Sequence, residues 1–371
     1  MEGGARQDLS ESVEISDGVW WVGNGGRSFL RRNSYLRVFK GSGKTANLLI
    51  DPGPPVDLES LNSKVSALIG SLGKVNMAFF NHQDPDVVGN LPYLAKLNPN
   101  CFFLGTEDTW RLVNLLGLEM KNFRPVERFL NQRIVLPSGQ RLQFIPTPFC
   151  HFRGAVMLYD FESRILFSGD LLGGIAAPHL TATEENWTGI KAFHQLYMPS
   201  NDALRLAVER IRNLDPAPLM IAPQHGGIIQ GDLIESFLEK LEELPVGLDI
   251  LRSLHEQLPL LIDAVNEIVS SGREILGAER VAAIMGAFHP DGSYPSFFSL
   301  SRSDTVTAIN GEPFETIEAL VKLFFRGLDE RQKGQLTTRI LRIMLDRNLP
   351  PFDILLAQES EEIIELLEEE P

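Results

Sequence analysis

Val75-Asn-Met-Ala-Phe-Phe80, followed by Asn81-His-Gln-Asp-Pro-Asp86, is the stretch on which the fold turns. The first six residues form an apolar run too short for a helix and suited to a buried strand. The next six are polar and place His82, Asp84 and Asp86 within five residues, before a helical pattern resumes over Val88–Leu97. Three donors therefore sit on a strand-to-helix loop, a place where a rigid scaffold commonly presents functional side chains.

The same alternation extends outward from this loop. On its N-terminal side, Gly18–Val22, Ser34–Phe39 and Ala46–Ile50 read as strands by aromatic and β-branched content, and the last ends in the turn Asp51-Pro-Gly-Pro-Pro55. Leu58–Leu72 carries apolar residues at helical spacing. Downstream strands are expected at Cys101–Gly105, Arg133–Leu136, Arg141–Pro146, Ala155–Asp160, Arg164–Ser168 and Leu219–Ala222. The class is α/β, continuing to about residue 240. Beyond Pro245 the pattern turns amphipathic and helical over Asp249–Leu276 and Ile317–Leu328, joined through a Gly-, Ser- and Pro-containing segment at Phe288–Ser303. Two regions follow, residues 1–244 and a mainly helical 245–371. The tail Ala357–Pro371 has seven Glu and no basic residue and reads as an exposed helix or a solvated end.

Bulk composition narrows the function classes. A chain of 371 residues with 43% hydrophobic and 22% charged residues has the make-up of a folded globular protein. A formal charge of −15 argues against nucleic acid or an anionic membrane as partner, since both reward clustered Lys and Arg. Two cysteines, Cys101 and Cys150, are too few for a disulfide framework and fit a reducing cytoplasm. The N-terminus lacks a signal-peptide pattern, and no run of about 18 apolar residues suggests a membrane span.

Six residues of metal-binding type begin loops after inferred strands: His82, Asp84, Asp86, His151, Asp170 and His225. Singly, each is an ordinary loop residue. Together they offer three imidazoles and three carboxylates from four loops, and Gly226 beside His225 permits close backbone approach.

This pattern resembles the flavodiiron branch of the metallo-β-lactamase superfamily, whose H-x-E-x-D triplet is followed by a His, then after eighteen intervening residues an Asp, and then a distant His. Here eighteen residues separate His151 from Asp170, and Leu166-Phe-Ser-Gly-Asp170 and Ala222-Pro-Gln-His-Gly226 are similar to the family's flanking text. The resemblance covers about residues 15–240. It implies a metallo-β-lactamase αβ/βα sandwich with a C-terminal, mostly helical extension. It also implies two metal ions, one on His82, Asp84 and His151, the other on Asp86 and His225, with Asp170 bridging. Asp84 stands where the family usually has Glu. Val87 stands where a ligand His normally follows the Asp, so the second metal is expected to have one protein ligand fewer. A carboxylate share of three in six favours iron, with zinc and manganese as alternatives.

Flavodiiron enzymes add a flavodoxin-like domain, for which residues 241–371 show no phosphate-cradling loop, and no flavin is expected. What remains resembles the oxygen-binding di-iron proteins of bacterial chemotaxis. The function implied is a cytoplasmic di-iron sensor of dioxygen or nitric oxide, its C-terminal region meeting a signalling or redox protein or forming a homodimer. A metal-dependent hydrolase and a reductase fed by an external electron donor are the alternatives, so binding and turnover both stay open. Asp304–Leu320 has the strand–turn–helix look of part of a PDZ domain, though ordinary packing of a small unit explains it. His179, His194, His255 and His289 fall outside the constellation and read as surface or core histidines, His194 being the one placed to support the site. Trp20 and Trp21 read as core.

Overall fold

The computed structural model describes residues 8–25, 29–288, 297–301, 305–347 and 349, without the side chains of residues 251–256 and 330. The tail Ala357–Pro371, His289, the His255 side chain and much of Phe288–Ser303 lie outside the described residues. The chain divides into two compact units, Met1–Pro245 and Val246–Pro371.

In the first unit, one sheet runs in chain order through β1 (Val13–Ser16), β2 (Val19–Trp21), β3 (Tyr35–Gly41), β4 (Lys44–Ile50), β5 (Met77–Phe79), β6 (Phe102–Gly105) and β7 (Phe123–Pro125). β1 to β4 pair antiparallel; β4 to β7 pair parallel through crossovers that carry α1 (Leu58–Ile69), α2 (Pro85–Val88), α3 (Leu91–Leu97) and α4 (Glu107–Val113). The second sheet has β8 (Arg133–Val135), β9 (Arg141–Pro146), β10 (Val156–Asp160), β11 (Ile165–Gly169), β12 (Met220–Pro223) and β13 (Ile229–Gln230), in the order β13-β12-β11-β10-β9-β8, with only β11 and β12 parallel.

Side-chain alternation explains why these strands read as continuous apolar runs, since both sheet faces are covered. Leu48, Ile50, Met77 and Phe79 join Phe144, Val156, Leu158, Ile165 and Phe167 in a core between the sheets. Their neighbours Leu49, Ala78 and Phe80 point the other way, into a core with Leu61 and Val65 of α1, Val87 and Val88 of α2, and Leu91 and Leu94 of α3. On the second sheet, Met157, Tyr159 and Leu166 are buried as well. Three later helices each bury one apolar stripe: α5 (Trp187–Tyr197) through Ile190 and Phe193, α6 (Asn201–Arg212) through Leu204, Val208 and Ile211, α7 (Leu233–Glu242) through Phe237 and Leu241. This is the αβ/βα sandwich. Burial of Trp21 and partial burial of Trp20 agree with their reading as core.

The second unit contains α8 (Leu248–Leu276), α9 (Ala278–Gly286), the hairpin β14 (Phe298–Leu300) and β15 (Val306–Ile309), α10 (Pro313–Phe325) and α11 (Glu330–Asp346). Its core joins Val265 and Ile268 of α8 to Ile317, Val321 and Phe324 of α10 and Ile340 of α11. The Asn266 carboxamide ties the hairpin to α8, donating to the Val306 carbonyl at 2.9 Å and accepting the Val306 N–H at 2.9 Å. Three-residue strands carry too little pattern to stand out within a helical region, which is why β14 was not expected there. No helix of the described residues is long and apolar enough to cross a membrane.

Candidate metal centre

All six predicted donors come together where β5, β9, β11 and β12 end. The triplet leaves β5 through Asn81, whose N–H donates to Asp51 Oδ1 at 2.9 Å and whose Nδ2 donates to the Val156 carbonyl at 2.5 Å and the Ser168 carbonyl at 3.4 Å. Asn81 thereby fastens one sheet to the other directly before the first histidine. Asp84 is the residue preceding α2, and Asp86 lies inside that short helix, beyond the loop expected to hold it. Pro85 suits the first helical position, where its missing N–H costs nothing.

Asp170 follows Gly169, which has φ +60° and whose absent Cβ would lie 2.0 Å from the Asn81 carboxamide carbon. Only glycine permits that approach. Gly226, after His225, has φ +83° and packs on the Gly174 backbone.

The donors form two sets joined through one carboxylate. Asp170 Oδ2 lies 3.6 Å from His82 Nε2 and 3.2 Å from His151 Nε2, and Asp84 Oδ2 lies 3.6 Å and 3.2 Å from the same two nitrogens. Asp170 Oδ1 instead lies 3.8 Å from His225 Nε2, which is 3.2 Å from Asp86 Oδ2. His82, Asp84 and His151 offer ligand atoms all within 4.8 Å of one another. His82 Nδ1 is held by Asn81 Oδ1 at 3.0 Å and His225 Nδ1 by the Arg31 carbonyl at 2.9 Å, which turns both Nε2 atoms inward. Such outer partners fix the orientation of metal-binding imidazoles.

Electrostatics agree with a cation site. Burial pushes the Asp170 carboxyl up, yet His82, His151 and His225 outweigh it and bring the group down to about 2. Burial likewise raises Asp84 and Asp86, and both end below the ordinary carboxylate value through hydrogen bonds from His151 and His82, and from His225. Burial disfavours charge on His151, but Asp170 and Asp84 raise it to about 10. Three anionic carboxylates thus converge on nitrogen donors, and buried Asp170 Oδ1 has no hydrogen-bond partner. An oxygen left bare against an inward-facing imidazole is what a bridging carboxylate between two cations requires. The residues present fit a pair of metal ions. His82, Asp170 and His225 are buried, whereas Asp84, Asp86 and His151 are partly exposed, so solvent reaches the centre on that side.

Val87 supplies no donor to the second set; its side chain is fully buried in the apolar core under the first sheet. His194 is not among the donors. Its Nδ1–H donates to the Ile190 carbonyl at 2.7 Å, and its Nε2 accepts the Leu172 N–H at 3.0 Å, so it braces the turn after Asp170. Burial lowers it to about 4 and keeps the ring neutral. In the sequence Asp51 is only the first residue of a turn. It anchors Asn81 from a buried position, and burial pushes its carboxyl up to about 7. An aspartate closing an apolar strand ahead of the triplet was the signal for it. Cys101 and Cys150 are free and buried.

The chain is similar to several known proteins. The chemotaxis sensor ODP from T. denticola, solved in its apo state, is 30% identical, has a TM-score of 0.56, and is matched over 66% of this chain and 97% of its own. A structure described as the peroxy diiron species of chemotaxis sensor ODP is 28% identical with a TM-score of 0.55, matched over 66% of this chain and 99% of its own. The nitric oxide reductase of Moorella thermoacetica is 25% identical over 252 residues, 62% of this chain and 61% of that protein, so the chain spans less than two thirds of this relative's length. The profile of the ODP family beta lactamase matches residues 30–226, more than half of the sequence, and the chain belongs to that family.

Proposed function

We propose that the chain is a di-iron sensor that binds dioxygen, with His82, Asp84 and His151 holding one iron, Asp86 and His225 the other, and Asp170 shared between them. The observation that carries this reading is the division of Asp170, one oxygen toward His82 and His151 and the other toward His225. Iron held by these residues would supply binding of a diatomic molecule. The protein's part is to orient two Nε2 atoms through Asn81 and Arg31, to keep three carboxylates ionised, and to leave the second position short of a donor at Val87. Three carboxylates beside three imidazoles favour iron over zinc. Likeness to the ODP chemotaxis sensors supports dioxygen and signalling as the use of the site. Residues 246–371 are the unit through which the signal reaches a partner or a second copy, and two free buried thiols accord with a cytoplasmic location.

The test is anaerobic loading with Fe(II) followed by exposure to dioxygen. A new visible absorption band that fades on deoxygenation is expected; no spectral response overturns the reading. Nitric oxide is the second ligand to examine, given the likeness to the Moorella nitric oxide reductase. Steady consumption of either gas with an added electron donor would mark turnover in place of sensing.

A further inference from the structure

Two glutamines outside the donor set have matching positions in it. Gln83 Nε2 donates to Asp84 Oδ1 at 2.6 Å, and Gln224 Nε2 donates to Asp86 Oδ2 at 3.1 Å and to the Asp86 carbonyl at 3.4 Å. In both residues Oε1 is buried and has no hydrogen-bond partner. Gln224 is completely buried, beside His225 in sequence. A carboxamide held this far from solvent with one end unsatisfied is costly, and a nonpolar residue would fill the same space without that cost. The cost is understandable if the amide N–H has a task.

The task differs in detail between the two. Asp84 turns Oδ2 toward His82 and His151, so the Gln83 N–H occupies the other oxygen and leaves one oxygen for an ion. Asp86 turns Oδ2 toward His225, and Gln224 holds that same oxygen, while neighbouring Val87 turns into the apolar core and supplies no donor. An N–H donor is the group that can stand beside an ionised carboxylate and fix its direction without competing for the cation.

We infer that Gln83 and Gln224 are positioning residues, one for each metal position: Gln83 orients Asp84 for the first, Gln224 orients Asp86 for the second. The inference rests on the two-metal reading above. Because each amide touches one aspartate, the two positions can be tuned separately, and Gln224 makes up in orientation for the ligand that position 87 lacks.

The test uses the full chain, stripped with a chelator and titrated anaerobically with Fe(II) alone, reading affinity and iron per chain. Gln83→Met and Gln224→Met keep side-chain length and remove the N–H. Each is made in two backgrounds: His225→Ala, which keeps the first position, and His82→Ala with His151→Ala, which removes both imidazoles of the first position and keeps the second. Loss of an outer partner typically weakens metal binding about 10- to 100-fold. Gln83→Met should show that loss only in the His225→Ala background, and Gln224→Met only in the background lacking both His82 and His151. Equal weakening in both backgrounds, or none in either, overturns the inference. Should Gln224→Met not fold by circular dichroism, Gln224→Asn retains the amide one methylene too short, with the same expected pattern. If the unaltered chain takes up fewer than two irons, the two-metal reading fails and this inference with it; if it takes up two while the crossed pattern is missing, only this inference fails.

Discussion

Asp170 Oδ1 lies 3.8 Å from His225 Nε2, while Asp170 Oδ2 lies 3.2 Å from His151 Nε2, so a single carboxylate belongs to both halves of the centre. Asp170→Ala should therefore lose both metals, whereas His225→Ala should lose chiefly one. Elemental analysis of the anaerobically purified variants checks this. Retention of both metals by Asp170→Ala would contradict the shared role.

The brace from His194 to the Leu172 N–H has a pH signature. Burial depresses the folded-state value to about 4, below the ordinary 6.5, so the ring contributes fully above about 6.5, where neither state takes a proton. Between 6.5 and 4 the unfolded chain binds the proton and the folded chain does not, so this contribution is lost as pH falls through that window. Melting temperatures of the metal-free chain should drop across it. His194→Leu should flatten that part of the profile while lowering stability at neutral pH by roughly 1–3 kcal/mol through the orphaned Leu172 N–H.

Gly169 admits no side chain. Gly169→Ala would place a Cβ 2.0 Å from the Asn81 carboxamide carbon at a backbone angle of φ +60°. Destabilisation beyond about 1 kcal/mol is expected from the backbone alone. Displacement of Asn81 should also weaken metal binding, because Asn81 orients His82. Denaturant unfolding and an Fe(II) titration measure the two effects independently.

Introducing at position 87 the histidine that the flavodiiron pattern leads one to expect should not simply supply a ligand. Val87 is buried among Leu49, Ala78 and Leu91. Val87→His should lower the stability of the metal-free chain by about 1–3 kcal/mol, the cost of an imidazole without partners in an apolar core. Thermal melts with and without Fe(II) check it; full recovery on adding iron would mean that the ring swings out to the metal.

Much of the first unit was legible because its signals are local. Leu48-Leu-Ile50 and Met77-Ala-Phe-Phe80 advertise strands buried on both faces, and each donor follows such a run. Gly169 was visible as a glycine before an aspartate, and the structure adds the clash that requires it. The second unit was less legible. Its hairpin depends on β14 and β15, of three and four residues, and on Asn266 some forty positions earlier.

By itself, the sequence determined which side chains could bind metal and that all of them but Asp86 occupy loops after strands, because periodicity and residue type are properties of neighbours along the chain. It also determined that position 87 offers no donor. Tertiary structure alone decided that Asp170 divides its oxygens between two sets, that Asn81 and the Arg31 carbonyl aim the imidazoles, that His194 braces a turn, and that Gln83 and Gln224 each hold one aspartate. These relations join residues as much as 194 positions apart, and they exist only once two sheets pack face to face.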